Sequence, residues 1–325
     1  MLTTTFTDLV GCRVPIQQAP MGSVSSPDLA VAVADAGGVG TITSLGMPAA
    51  YLESVLAGMS NRTAGVLAAN FLTAQLDRDA LALAAERVRI VDFFWVNPDP
   101  ALVEVAHAGG ALVSWQVGSV DEAKSAVDAG ADMIAVQGIE AGGHVRGRSP
   151  LLPLLSAVLD RVSVPVLAAG GIGNGRGLAA VLAAGAAGAR IGTLFIATDE
   201  SGAHETYKQA VIDAGPTSTE ITDAFADCPL CATVPRARVL RSCVEAVRGL
   251  ETDLAGETNL GGKSVPITRG SGMPPGTAAH GRIDAMAMYA GESTPLVTTR
   301  APAADVVDDL VVSAERLLRA AMPAQ

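Results

Sequence analysis

Aromatic side chains are scarce in this chain: Phe, Trp and Tyr make up 3% of 325 residues. Any core is therefore aliphatic and rich in small residues. Positive charge is also in deficit, with 22 Lys and Arg against 33 Asp and Glu and a net charge of −11. That balance argues against non-specific nucleic-acid binding and leaves only a local basic pocket open. Charged residues reach 17% while hydrophobic ones reach 49%, so disorder is not expected and a large core is available. Cysteine is limited to Cys12, Cys228, Cys231 and Cys243, and the first residues lack the basic start and apolar run of a secretory leader. The expected setting is the reducing cytoplasm. A membrane span is not expected either. Gly177 to Ala197 is long and apolar with Arg190 as its only charge, but Gly185 and Gly188 split it into a helical and a strand part.

Glycine, by contrast, is abundant, at 35 residues. A phrase made of a helix end, Ala-Gly and an apolar run recurs at Asp35–Gly40, His107–Leu112, Asp128–Met133 and Ala184–Ala189. Glycine after a helix is a left-handed stop, and the run that follows starts a strand. The stops fit a module of roughly 24 residues, the length of one βα unit. Strands are predicted near Ile16–Ala19, Val39–Thr43, Gly65–Ala69, Val91–Trp95, Ala111–Trp115, Asp132–Val136, Val164–Ala168 and Ala189–Ile191. Helices are predicted between them, among them Pro27–Asp35, Asp79–Arg87, Ser119–Asp128 and Pro150–Asp160. Eight alternating units predict an α/β fold, a (β/α)8 TIM barrel. A doubly wound sheet would not normally need eight units, and no dinucleotide fingerprint follows the first strand. Residues 215–282 read as a loop-rich lid or insertion, with little periodicity over 251–282, so the barrel is expected from 1–214 plus 283–325. Asp305–Ala321 reads as an amphipathic helix packed outside the barrel.

A barrel places its active site at the C-terminal strand ends, often with a phosphate held by the loops after strands seven and eight. Those loops are Ala169-Gly-Gly-Ile-Gly-Asn-Gly-Arg-Gly177 and Arg190-Ile-Gly-Thr193. Glycines expose backbone N–H groups to an anion, Thr193 adds a hydroxyl, and Arg176 and Arg190 are local cations. A tight turn is the alternative reading of either loop alone. After strand six comes Gln137-Gly-Ile-Glu-Ala-Gly-Gly-His144. A titratable imidazole on a glycine loop at that rim is a candidate catalytic base; a histidine capping a carbonyl is the alternative. His107 reads as a helix C-cap, and His204 and His280 as surface residues. Cys228-Pro-Leu-Cys231 lacks a second ligand pair, so no metal is expected and a structural or incidental role is assigned. Arg146 and Arg148 either attract an anionic substrate or are simply solvated.

Pro15-Ile-Gln-Gln-Ala-Pro-Met21, Asn70-Phe71, Gln137–His144, Ala169-Gly-Gly-Ile172, Arg190–Thr193 and Ala287-Met-Tyr-Ala-Gly-Glu292 occur in an order that resembles the nitronate monooxygenases, FMN-dependent barrels formerly called 2-nitropropane dioxygenases. The resemblance implies FMN as cofactor. Met21 and Asn70 would contact the flavin, Gln137 and Gly142 the ribityl and ring region, and Gly171, Arg190, Ile191, Gly192 and Thr193 the phosphate. His144 would be the base facing a small nitronate or nitroalkane, which O2 then oxidises to a carbonyl compound and nitrite. The same core resembles the flavin-dependent enoyl-acyl-carrier-protein reductases and the NADH:quinone reductases, which take electrons from a nicotinamide; a non-catalytic FMN-binding protein is a further alternative. Two departures stand out. Glu292 occupies a place where the family often has Gln, and Lys263 is the only lysine after Lys208, so the C-terminal Tyr/Lys pattern of the nitronate-oxidising class is not evident. No nucleic-acid or membrane partner is expected, and homo-oligomerisation is left open.

Overall fold

Short polar caps start most of the helices. Ser26, Asp77, Asp99, Ser119 and Asn174 each accept a backbone N–H with the side chain at a helix N-terminus, satisfying donors that the helix cannot use. Between those helices run the predicted strands. A computed structural model describes residues 2–72, 76–95, 97–228, 236–260 and 262–321. Its first strands are β1 (Ile16–Gln18), β2 (Val39–Thr43), β3 (Val66–Leu72), β4 (Ile90–Phe94), β5 (Leu112–Val117), β6 (Met133–Gln137), β7 (Gly143–His144), β8 (Val166–Ala169) and β9 (Gly188–Ile191). All but β7 form a closed parallel barrel in the order β1-β2-β3-β4-β5-β6-β8-β9. Closure pairs Ile16 with Ala189, Gln17 with Arg190 and Gln18 with Ile191. The eight expected strands are all present, with ends shifted by a few residues.

Alternation along the strands sorts the core into two parts. Ile42, Leu67, Phe71, Val91, Phe93, Trp115, Ile134 and Val136 face outward and pack with the surrounding helices. Val39, Ala68, Ile90, Met133 and Leu167 face inward at the bottom of the barrel. The helix Thr5–Val10, which no pattern announced, plugs that end with Phe6 and Val10. Its start is fixed by a capping box between Thr4 and Thr7. The helix after β9 is only Thr193–Ile196, and the C-terminal helix Ala303–Ala321 fills the remaining place in the outer ring. It lies against the helices Gly175–Ala183 and Pro27–Asp35 and buries Val307, Leu310 and Ala314. The apolar stretch 177–197 is thus divided between a helix, β9 and the whole of the short helix. No helix among the described residues is long and apolar enough to cross a membrane.

The remaining strands are β10 (Thr219–Thr222), β11 (Ala237–Leu240), β12 (Leu254–Leu260), β13 (Lys263–Thr268) and β14 (His280–Gly281). Residues 251–282, expected to be irregular, carry an antiparallel sheet in the order β13-β12-β14. The strand signal was hidden because one face is solvated and Pro266 sits in the edge strand β13, where it interrupts no inner ladder. A second apolar cluster collects Ile196, Tyr207, Val239, Val244, Ile267, Met286, Met288 and Val297. It runs across the expected boundaries at 214/215 and 282/283. The sheet β10-β11-β7 ties this part of the chain to the barrel rim.

Candidate active site

Above the apolar plug, the barrel interior turns polar. Arg190, on β9, is 2% exposed and points inward rather than toward the rim. Its guanidinium pairs with Asp92 of β4 and donates to Gln17 Oε1 at 3.1 Å, Ser114 Oγ at 2.9 Å and Gln116 Oε1 at 2.8 Å. Asp92 in turn accepts from Asn70 Nδ2 at 2.7 Å. This corrects the expectation that the Arg190 side chain serves as a local cation for phosphate: an inward-facing strand position commits it to Asp92. Arg176 is exposed at the start of its helix.

One layer higher, the rim offers unused backbone donors. Gly170 and Gly171 both take left-handed conformations, with φ 112° and 70°, which a side chain would oppose. Asn174 Oδ1 takes the amides of Arg176 and Gly177. Among the described residues, the amides of Gly171, Gly192 and Thr193 donate to no protein acceptor. Thr193 Oγ1 accepts from Gly291 N at 2.9 Å, which leaves its O–H to donate. Met21 approaches Gly192, its Sδ 3.4 Å from where a Cβ would stand. Ile191 is buried on the outer face of β9. Two strands round from β9, Thr43 Oγ1 is buried at the end of β2 without a partner among the described residues. Beside it lies a cavity of about 290 Å³ lined by Ser44, Met47, Phe71 and Leu72.

His144 lies in β7, whose short ladder to β11 pairs it with Ala237. Gln137, the last residue of β6, holds this segment from below: Nε2 donates to His144 O at 2.9 Å and Oε1 accepts from Arg146 N at 3.2 Å. Gly142 is required by packing. A Cβ there would stand 2.6 Å from the backbone of Ala290 and Gly291. Arg238 of β11 donates to Ile139 O at 2.9 Å and pairs with Glu292 at 3.0 Å, so the acidic departure at position 292 has a cationic partner. Around the imidazole stand Trp95 at 5.3 Å and Tyr289 at 5.6 Å between ring centroids, with Cys228 Sγ 3.5 Å from Nε2. Burial lowers the His144 pKa to about 4, because a desolvated imidazolium is disfavoured. The ring is therefore a neutral acceptor at pH 7.

Several smaller expectations change. His107 does not cap a helix carbonyl: its Nε2 lies 2.8 Å from Asp132 Oδ2. His204 is a helix N-cap, its Nδ1 accepting from Thr206 N at 3.1 Å; His280 is exposed. Arg146 is bound to Glu122 at 2.6 Å and Arg148 is exposed. Cys228 belongs to the His144 surroundings rather than to an incidental loop; Cys231 lies outside the described residues. Sequence reasoning missed Thr43, Asp92, Trp95, Arg238 and Tyr289. Only Asp92 left a signal, as a charge inside the apolar run Ile90-Val-Asp-Phe-Phe94.

Comparison with known proteins agrees with this architecture. The family model for nitronate monooxygenase matches residues 3–78 and 58–313. A 5-hydroxy-7a-methyl-1-oxo-octahydro-indene-4-carboxyl-CoA dehydrogenase from Rhodococcus jostii is 37% identical over 223 residues, 68% of this chain and 63% of that enzyme's length. Among solved structures, the nitroalkane oxidase from Streptomyces ansochromogenes superposes with a TM-score of 0.80 at 28% identity, covering 98% of this chain and 100% of the other. FabK from Thermotoga maritima gives 0.81 at 26%, covering 98% of each chain. The chain belongs to the nitronate monooxygenase family, a family of flavoenzymes.

Proposed function

We propose that this chain is an FMN-dependent oxidoreductase that oxidises alkyl nitronates, and nitroalkanes more slowly, with O2 to a carbonyl compound and nitrite. The observation that carries the reading is a neutral imidazole, His144, on the same barrel rim as a cradle of unused amide donors. The residues present fit FMN. The amides of Gly171, Gly192 and Thr193, with the Thr193 hydroxyl, suit a phosphate. The orphaned Thr43 hydroxyl suits a polar ligand atom at the rim. Met21, Asn70, Gln137 and Gly142 lie at or just after the C-terminal ends of barrel strands and are assigned to the flavin by the family resemblance, and Ile191 and Arg190 belong to the strand that ends in the cradle. When bound, FMN supplies the two-electron acceptor and the route to O2.

The chain's own residues then have distinct tasks. Gln137 fixes the backbone at His144, and Gly142 lets the 290–291 segment press against it. His144 accepts the α-proton of a neutral nitroalkane. With a pKa of about 4, it does so with little driving force. An alkyl nitronate arrives already deprotonated and avoids that step, so it is the better substrate.

A second reading has a specific support. The Rhodococcus jostii relative is named as a 5-hydroxy-7a-methyl-1-oxo-octahydro-indene-4-carboxyl-CoA dehydrogenase, and the cavity next to Ser44, with both polar and apolar lining, has room for part of a larger substrate. A third reading is the nicotinamide-dependent flavin reductase that the sequence also resembles, and the fold shared with FabK is consistent with it. The test is to purify the protein, verify that it is yellow and releases FMN on denaturation, and mix it anaerobically with ethylnitronate, nitroethane, NADH and a cyclic acyl-CoA. Bleaching by ethylnitronate supports the first reading. Bleaching by NADH or the acyl-CoA but by neither nitro compound overturns it. A colourless protein that takes up no FMN overturns all of these readings.

A further inference from the structure

We propose that Trp95 is a positioning residue for His144: its indole, placed by a left-handed backbone, fixes the plane of the imidazole and keeps its surroundings apolar. The proposal rests on the reading of His144 as the group that handles the substrate's proton.

Trp95 directly follows β4 and has φ 72°. Among the described non-glycine residues only Thr217 shares a positive φ. A large side chain opposes this conformation because Cβ crowds the following carbonyl oxygen. Such a residue persists when its surroundings over-determine it, and such sites cluster where geometry serves function. Here the outcome is specific. The indole lies 6% exposed, edge-on to His144 at 73° and to Phe94 at 5.0 Å and 73°. Edge-to-face packing fixes relative ring orientation. Phe94 and Trp95, with Leu72 and Cys228, form a small cluster separate from the two large cores. Its place beside His144 indicates a wall for the site rather than support for the barrel.

Trp95 makes the edge-on ring contact with the imidazole and shares its positioning with Tyr289 and Cys228. Tyr289 meets the imidazole at a tilt of 43°. Cys228 faces Nε2. On β11, Arg238 lies across from Gly143, but its guanidinium turns to Ile139, Thr219 and Glu292. Arg146 is engaged by Glu122. Burial is the main cause of the lowered His144 basicity.

The test uses the flavin-loaded protein labelled with 15N-histidine. Four histidines give a simple spectrum, and the His144 signal is the one lost in H144A. Glycine and asparagine tolerate a left-handed backbone, so W95G and W95N should fold, and W95F retains an aromatic wall. The expected result is a His144 titration midpoint raised by at least about one unit in W95G and W95N, as water reaches the ring. W95F should stay within about half a unit of the wild type, since it still excludes water. The acid limb of the pH–rate profile should move with the NMR midpoint. An unmoved midpoint in either folded variant overturns the role of Trp95, as does a loss of thermal stability with no titration change. Failure of the underlying reading looks different: H144A would turn over substrate like the wild type, whatever the Trp95 variants show.

Discussion

Replacing Asp92 by Asn removes the only anion paired with Arg190 among the described residues. Asp92 is fully buried and the Arg190 side chain is 1% exposed. After D92N, Gln17, Ser114 and Gln116 still accept from the guanidinium, but its charge has no counterpart. Removing one partner of a buried ion pair costs about 3–5 kcal/mol, a large share of a typical stability of about 5–15 kcal/mol. With an unfolding entropy of about 2.1 cal/mol/K per residue, the chain's 325 residues convert that cost into a Tm drop of about 4–7 °C. Asn70 also loses a charged acceptor, so FMN affinity should fall in parallel. The assay is urea and thermal unfolding of wild type, D92N, R190Q and D92N/R190Q. The double variant should recover about 2–3 kcal/mol of the summed losses, because the partners act as a unit. A D92N loss under about 1 kcal/mol, or strict additivity in the double variant, would refute the reasoning.

Three further outcomes are expected. The folded His144 has a pKa of about 4, below its unfolded value of about 6.5. The unfolded chain therefore binds the extra proton between those values, and stability falls as pH drops through that window, by at most about 3 kcal/mol for this half-buried ring; unfolding of H144Q at pH 7 and pH 4 should show a smaller loss than the wild type. E292Q should cost under about 1 kcal/mol because Glu292 is half exposed, whereas R238A, which also releases Ile139 O and Thr219, should cost about 2–3 kcal/mol by denaturant unfolding. G142A should lower stability by about 1–3 kcal/mol and reduce bound flavin, since its Cβ would meet the Ala290–Gly291 backbone; flavin content after dialysis measures it.

The barrel was legible because its signals are local and repeated. An Ala-Gly stop before four of the apolar runs marks units whose length and alternation leave few other folds. The two rim loops followed from counting those units. The walls of the site were not legible in this way. Trp95, Cys228 and Tyr289 lie far apart in the chain and meet only through closure of the barrel and the pairing of β7 with β11. Arg190 was placed on the correct strand, but the direction of its side chain depends on which residue of β9 faces inward, a matter of register. Sheet β13-β12-β14 was missed because its solvated strands carry Gly, Pro and Thr, residues that read equally well as loop.

The central claim is that His144 handles the substrate's proton at a flavin-bearing barrel mouth. Anaerobic stopped-flow reduction of the bound flavin, in wild type and H144A, tests it most directly. Ethylnitronate should bleach both proteins at rates within about threefold, while nitroethane should bleach H144A at least about 100-fold more slowly than the wild type. Equal nitroethane rates in the two proteins would contradict the claim.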